Sequence, residues 1–224
     1  MELSRAQVVA IEDRLHKNGL TYWDIRVEIL DHIVSMIEDK MNSGESYDSA
    51  LENTLQTLHY TGNLADLNRR RLLGINKIVR KQYFDKVKEF CTTPFYLLMI
   101  VAGLGSYTLV YLFQSAYVFK IVTLFLLFTP ILLGVVSYIK EYAQKEKSGF
   151  LVYSSFYVFF SFMVLNLFIQ FFQPEGIFPV AKETQHLIWF VVTSINGIFS
   201  AAGLIIHFET RSRIKNIELK LKNL

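Results

Sequence analysis

The sequence predicts an all-α integral membrane protein with four transmembrane helices and an N-terminal cytoplasmic helical domain. Three observations lead there. Four long apolar runs crowd into residues 94–208, whereas residues 1–93 are mostly polar and helix-patterned. Segments rich in Lys and Arg alternate with poor ones between the runs. The polar part repeats apolar residues at helical spacing, with Ser and Gly where helices start and stop. Composition agrees. Of the 224 residues 19% are charged, below the roughly 25% of soluble domains, and 19 Phe and 12 Tyr suit lipid-facing helices.

Residues 1–66 form an acidic head, with five Lys and Arg against twelve Asp and Glu, a net of −7. Ser4 followed by Gln7 is a capping-box pattern, with Leu3 and Val8 placed as a hydrophobic staple. Val8, Ile11 and Leu15 share a face, and Asn18-Gly19 ends that helix. Thr21 is expected to cap a second helix with Asp24 at its third position. Its core face is Ile25, Ile29, Ile33, Met36 and Ile37, and Asn42-Ser43-Gly44 stops it. Ser46 opens a third helix carrying Tyr47, Leu51, Leu55 and Leu58, which is expected to end near Thr61-Gly62. A core this small is marginal alone, so the head is expected to lean on the membrane module or on another copy.

Residues 67–93 form a basic neck: eight Lys and Arg against two acids, a net of +6. Leu64, Leu67, Ile75, Ile78 and Phe84 give it a helical apolar pattern that runs to Thr93-Pro94. One reading is a plain connector obeying the positive-inside rule. The other is an interfacial helix on anionic lipid, with Arg69, Arg70, Arg71, Lys77, Arg80 and Lys81 at the headgroups.

Residues 94–208 are the membrane module. A hydrocarbon core of about 30 Å needs roughly 20 apolar helical residues, and 95–114, 118–139, 150–172 and 187–208 meet that. None contains Asp, Glu or Arg, and Lys120 stands near an end where it can snorkel. Four such runs in 115 residues would leave a soluble fold little polar surface. Lys140, Lys145 and Lys147 follow the second run; Arg211, Arg213, Lys215, Lys220 and Lys222 follow the fourth. The other two connections hold only Lys120 and Lys182, so both termini are expected in the cytoplasm. Residues 209–224 form a basic amphipathic tail that continues the fourth helix, with Ile214, Ile217, Leu221 and Leu224 on one face.

Within the head, Glu28-Ile29-Leu30-Asp31-His32, Ile37-Glu38, Gly44-Glu45-Ser46 and Ala50-Leu51 resemble the HAAS-type and permease-prefix-type helical domains of bacterial membrane proteins. The resemblance covers about residues 4–66. It implies a bacterial membrane protein of regulatory or poorly defined role and no catalytic residue to carry over. The turn His59-Tyr60-Thr61-Gly62-Asn63 departs from the Gly-Asp-Pro-like turn of those domains.

Candidate chemistry is sparse. Glu28, Asp31 and His32 are neighbours on one helix face and form a weak metal candidate. The spacing is not that of a zinc hydrolase, and a solvated acidic face explains it as well. Thr193, Gly197 and Ala201 recur every four residues on the fourth run, with Ser200 and Gly203 nearby; Ala102 and Ser106 do the same on the first. Such small residues let helices approach closely. Asn166, Gln170 and Asn196 are polar groups at membrane depth, suited to interhelical hydrogen bonds or, alternatively, to a substrate path. Pro130 is expected to kink the second run. With one cysteine, Cys91, an internal disulfide and a multi-cysteine metal site are excluded.

These features point to a non-enzymatic regulatory or scaffolding protein of the cell inner membrane. Its head is expected to bind a protein partner, or another copy, without cofactor, metal or nucleic acid. A small transporter or permease-associated subunit, using Pro130, Asn166 and Asn196, is the alternative.

Overall fold

The computed structural model describes residues 2–113, 121, 125, 129, 131–140, 143, 147–171 and 177–222. These residues are mostly helical and hold no strand, so the all-α class stands. Pro130 and nine other residues of the second run lie outside the described residues.

The helices are α1 (Arg5–Lys17), α2 (Trp23–Asn42), α3 (Tyr47–Thr57), α4 (Ala65–Thr92) and α5 (Phe95–Phe113), then α6 (Ile131–Lys140), α7 (Gly149–Phe171) and α8 (Lys182–Lys222). Among the described residues no single helix is long and apolar enough to cross a membrane. One bent pair, Ala65–Thr92 with Phe95–Gly105, meets the length and composition together, with an angle of 79° between its members.

The chain divides into two compact units. The first comprises Met1–Lys77 with Gln144–Phe150, so it takes in the start of the neck and the beginning of α7 as well as the acidic stretch. Its core is Ile11 and Leu15 of α1, Leu20 of the following turn, Ile25, Ile29, Ile33 and Ile37 of α2, and Ala50 and Leu55 of α3. The expected apolar faces account for most of it; Val8, Met36, Leu51 and Leu58 sit half-buried at its margin.

The helix ends follow local rules. Ser4 and Gln7 form the capping box of α1. Gly19 and Gly44 stand at φ 108° and 98° after α1 and α2, where an L side chain would be strained. Each C-terminus closes with a paired backbone pattern: Gly19 and Leu20 donate to His16 and Leu15, and Gly44 and Glu45 donate to Met41 and Lys40. The third helix ends earlier than expected, at Thr57, by the same device. There His59 takes the left-handed position at φ 56°, and Tyr60 donates to Leu55 at 2.7 Å.

The second unit comprises Ile78–Ala143 and Leu151–Leu224. Gly203 of α8 stands close against the backbone of α7. A Cβ on Gly203 would stand 2.7 Å from the Tyr157 carbonyl oxygen, so only hydrogen fits there. Tyr83, from the second half of α4, is fully buried in the same unit, with its ring 5.0 Å from that of Tyr157. Its hydroxyl donates to the Phe199 carbonyl at 3.3 Å. As expected of the tail, α8 runs unbroken past residue 208, and Ile214 is buried.

Candidate functional site

The most specific polar arrangement lies in the first unit, where two helix N-termini satisfy each other. An α-helix begins with N–H groups that lack intrahelical partners. Thr21 does not cap α2: its hydroxyl accepts from Asn68 at 3.3 Å, and the N-cap residue is Tyr22, without a side-chain cap. The α2 donor at Trp23 instead reaches the Lys147 carbonyl at 3.0 Å. In return the Asp24 carboxylate crosses to the start of α7. One oxygen accepts from the Gly149 N–H at 3.1 Å, the other from the Phe150 N–H at 3.1 Å and from the Ser148 hydroxyl at 2.8 Å. The carboxylate also meets the positive end of the α7 dipole. Asp24 is therefore the N-cap of a helix that starts 125 residues further along. Gly149 has a packing role in the same place, since a Cβ there would come 2.9 Å from Leu72 Cδ2 and 3.0 Å from Ile75 Cδ1.

Buried Arg26 braces the turn that presents Asp24. Its Nη1 donates to the carbonyls of Leu20 and Thr21 at 3.2 and 3.3 Å, and its Nε stands 3.5 Å from Glu12 Oε1. Leu64 N–H donates to Asn18 at 2.7 Å and ties the start of α4 to the same turn. Neither the Asp24 partnership nor the Arg26 brace was expected. Asp24 fits the local pattern of α2 as well as it fits α7, and Arg26 reads as one charge among many on a polar helix.

The second unit holds a buried polar cluster where α7 and α8 meet. His207 is 1% exposed, and its Nδ1 lies 3.1 Å from Ser154 Oγ and 3.4 Å from Ser155 Oγ. Both hydroxyls also donate to the Leu151 carbonyl, at 3.1 and 2.9 Å. Which side of the Nδ1–serine contact donates depends on the imidazole tautomer, and Nε2 has no hydrogen-bond partner among the described residues. A serine beside a histidine resembles a nucleophile with its base. No described side chain hydrogen-bonds Nε2 to orient the ring, so the geometry is that of a packed polar contact. Elsewhere in this unit an open groove of about 350 Å³ is lined by Gln82, Asp85, Lys86, Glu89, Ile206, Glu209, Thr210 and Arg213. Lys86 pairs with Glu89 at 2.9 Å, and that hydrogen bond raises the lysine pKa despite some burial.

The other residues singled out in the sequence are distributed as follows. Glu28 accepts from Arg71 at 2.9 Å, while Asp31 and His32 are exposed on α2. Among the described residues no three His, Cys, Asp or Glu side chains come close enough to hold a metal ion. Arg71 is thus committed to the head, whereas Arg69, Arg70, Lys77, Arg80 and Lys81 are exposed along α4. Gly197 and Ala201 are half-buried; the close approach is made by Gly203, flanked by buried Ser200 and Ala202. Asn196 is half-buried, with its Oδ1 lacking a hydrogen-bond partner among the described residues. The side chains of Ala102, Ser106, Asn166, Gln170 and Thr193 lie outside the described residues.

No protein-family model, curated protein or solved structure matches the chain.

Proposed function

We propose that this chain is a non-enzymatic multi-pass membrane protein of regulatory or scaffolding role. Its acidic head binds a protein partner and passes that event to the membrane module through Asp24. The observation that carries the reading is the reciprocal cap. A head that merely hung from the membrane would need no carboxylate seated on the first turn of α7. A partner that shifts α2 would remove that cap, and the first turn of α7 would lose three hydrogen bonds at once.

The membrane part of the reading is supported by exposed apolar side chains. Leu98, Val101, Phe125, Leu132, Ile139 and Leu187 are each more than half exposed, a density that water-facing surfaces rarely carry. The inner-membrane orientation with cytoplasmic termini is supported by the same cap. It puts the head beside Lys147, at the end of a connection that the lysine distribution assigns to the cytoplasm. The likeness of residues 4–66 to HAAS-type and permease-prefix-type domains goes with the three helices of the head. No catalytic residue, metal or cofactor is proposed.

Photo-crosslinking in cells tests the partner. A photoreactive side chain is placed in turn at positions 31, 35 and 39, on the outer face of α2 in the full-length chain. One discrete protein adduct, lost when Asp31 and Asp39 are changed to Lys, is the expected result. No adduct from any of the three positions removes the partner-binding reading. A transporter or permease-associated subunit is the second reading, and the unpartnered Oδ1 of Asn196 favours it. Unaltered substrate flux in Asn196→Leu and Asn166→Leu together would leave that reading without a basis.

A further inference from the structure

We propose that the outward face of α4 docks on anionic lipid headgroups, and that it lies along the bilayer surface rather than acting as a plain connector. The inference rests on the membrane reading above but adds a specific partner, negatively charged phospholipid, and a specific surface.

One side of α4 is occupied by protein. Ile75, Val79, Tyr83 and Phe90 are buried at helical spacing. The opposite side is exposed and mixed in a particular way. Positions 73, 77, 80, 84 and 88, spaced 4-3-4-4, are Leu, Lys, Arg, Phe and Lys, and all five are exposed. Arg70 and Lys81 stand beside this stripe, also exposed. Leu73 is 57% exposed and Phe84 46%, which would be wasteful on a helix facing only water. Apolar side chains between cations match a phospholipid interface, where rings and aliphatic chains sink below the level at which ammonium and guanidinium groups meet phosphate. A polyanion such as nucleic acid would use the cations but leave Leu73 without a role and Phe84 with only its edge contact to Tyr83. The geometry of the connection agrees, because α4 turns through 79° into the apolar stretch that begins at Phe95. A helix lying in the membrane plane needs a turn near a right angle before a spanning segment.

The lone cysteine supplies a reporter, since Cys91 is exposed and three residues after Lys88 on the same stripe. The full-length chain is labelled there with an environment-sensitive fluorophore. It is then reconstituted into phosphatidylcholine vesicles with or without phosphatidylglycerol. The expected result is a blue-shifted emission only with the anionic lipid, weakened by raised salt. Each cation near an anionic surface adds about a five-fold preference, so Arg80→Gln, Lys81→Gln and Lys88→Gln together shift the docking equilibrium on the order of 100-fold. Phe84→Ser, which keeps every charge, is expected to reduce the shift without changing its salt dependence. The same emission in both vesicle types overturns the proposal while leaving the membrane reading intact. So does a shift produced in phosphatidylcholine vesicles by inorganic phosphate or by a soluble polyglutamate, because the ligand would then be a soluble anion. A chain that stays dispersed without detergent or vesicles overturns both this proposal and the membrane reading.

Discussion

Removing the Asp24 carboxylate tests the central claim most directly, because its three acceptor contacts all lie on one short segment. Asp24→Ala removes the carboxylate that accepts from the Gly149 and Phe150 N–H groups and from the Ser148 hydroxyl. Losing an N-cap costs about 0.5–2 kcal/mol, and losing a carboxylate at a helix N-terminus about 0.3–1 kcal/mol more. The hydroxyl bond to a charged acceptor is worth about 1.5 kcal/mol at the low end of its range. These contributions overlap and the site is only part-buried, so water replaces some of them; roughly 3 kcal/mol is a fair upper figure. Asp24→Asn keeps one acceptor oxygen but loses the charge, and about half of that loss is expected. Hydrogen exchange of the detergent-solubilised full chain reads this locally. The peptide covering residues 147–152 is expected to exchange about 100-fold faster in Asp24→Ala and about 10-fold faster in Asp24→Asn, each 1.4 kcal/mol being tenfold. Peptides from α3 are expected to change little. Unaltered exchange at 147–152, or equal acceleration across α1, α2 and α3, would mean that Asp24 serves the head alone, and the coupling would fall.

Four further outcomes follow from particular residues. His59 holds a left-handed position that glycine adopts without strain, so His59→Gly is expected to stabilise the head by about 0.5–1 kcal/mol; urea unfolding followed by Trp23 fluorescence, in a Trp189→Phe background, checks it. Thr54 is fully buried with no partner for its hydroxyl among the described residues, so Thr54→Val is expected to gain about 1 kcal/mol in the same assay, and a loss would point to a partner for that hydroxyl. Gly203→Ala forces a Cβ to 2.7 Å from the Tyr157 carbonyl oxygen, at a cost of about 1–3 kcal/mol and a lower melting temperature in detergent. Burial, with a smaller contribution from Tyr157, raises the Tyr83 pKa above its ordinary value of 10.0. The unfolded chain therefore loses the Tyr83 proton first as pH rises, and stability is fully present below pH 10 and falls above it. Tyr83→Phe is expected to flatten that alkaline loss, read as melting temperature against pH, at the cost of the hydrogen bond to Phe199.

Much of the head was legible because its determinants are local. Ser4 with Gln7 and Ser46 mark helix starts, and Gly19 and Gly44 mark stops that only glycine makes without strain. The third stop was placed late because His59 occupies the left-handed position, and a histidine carries no such mark in a sequence. The small-residue stripe of the fourth run is a different case. Its period of four is correct for a helix, but period alone does not say which side of the helix meets a neighbour. Gly203, one face round from Gly197 and Ala201, approaches the α7 backbone. Tyr83 was hidden for a different reason, since eight basic neighbours make the neck look solvated on every side.

The charge pattern carries the last step. A head of net −7 followed at once by a neck of net +6 suggests two segments that neutralise each other. Among the described residues, however, the ion pair joining them is Arg71 with Glu28. Asp31 and Asp39 on α2, and Arg70, Lys77, Arg80, Lys81 and Lys88 on α4, are exposed instead. Exposed pairs gain little from meeting, about 0–1 kcal/mol, so charges of opposite sign can be kept apart at small cost when each faces a different neighbour. That separation is what an acidic surface for a protein and a basic surface for lipid require. Asp24 stands apart from both sets, because its charge is spent on the first turn of α7, which is where the proposed coupling would act.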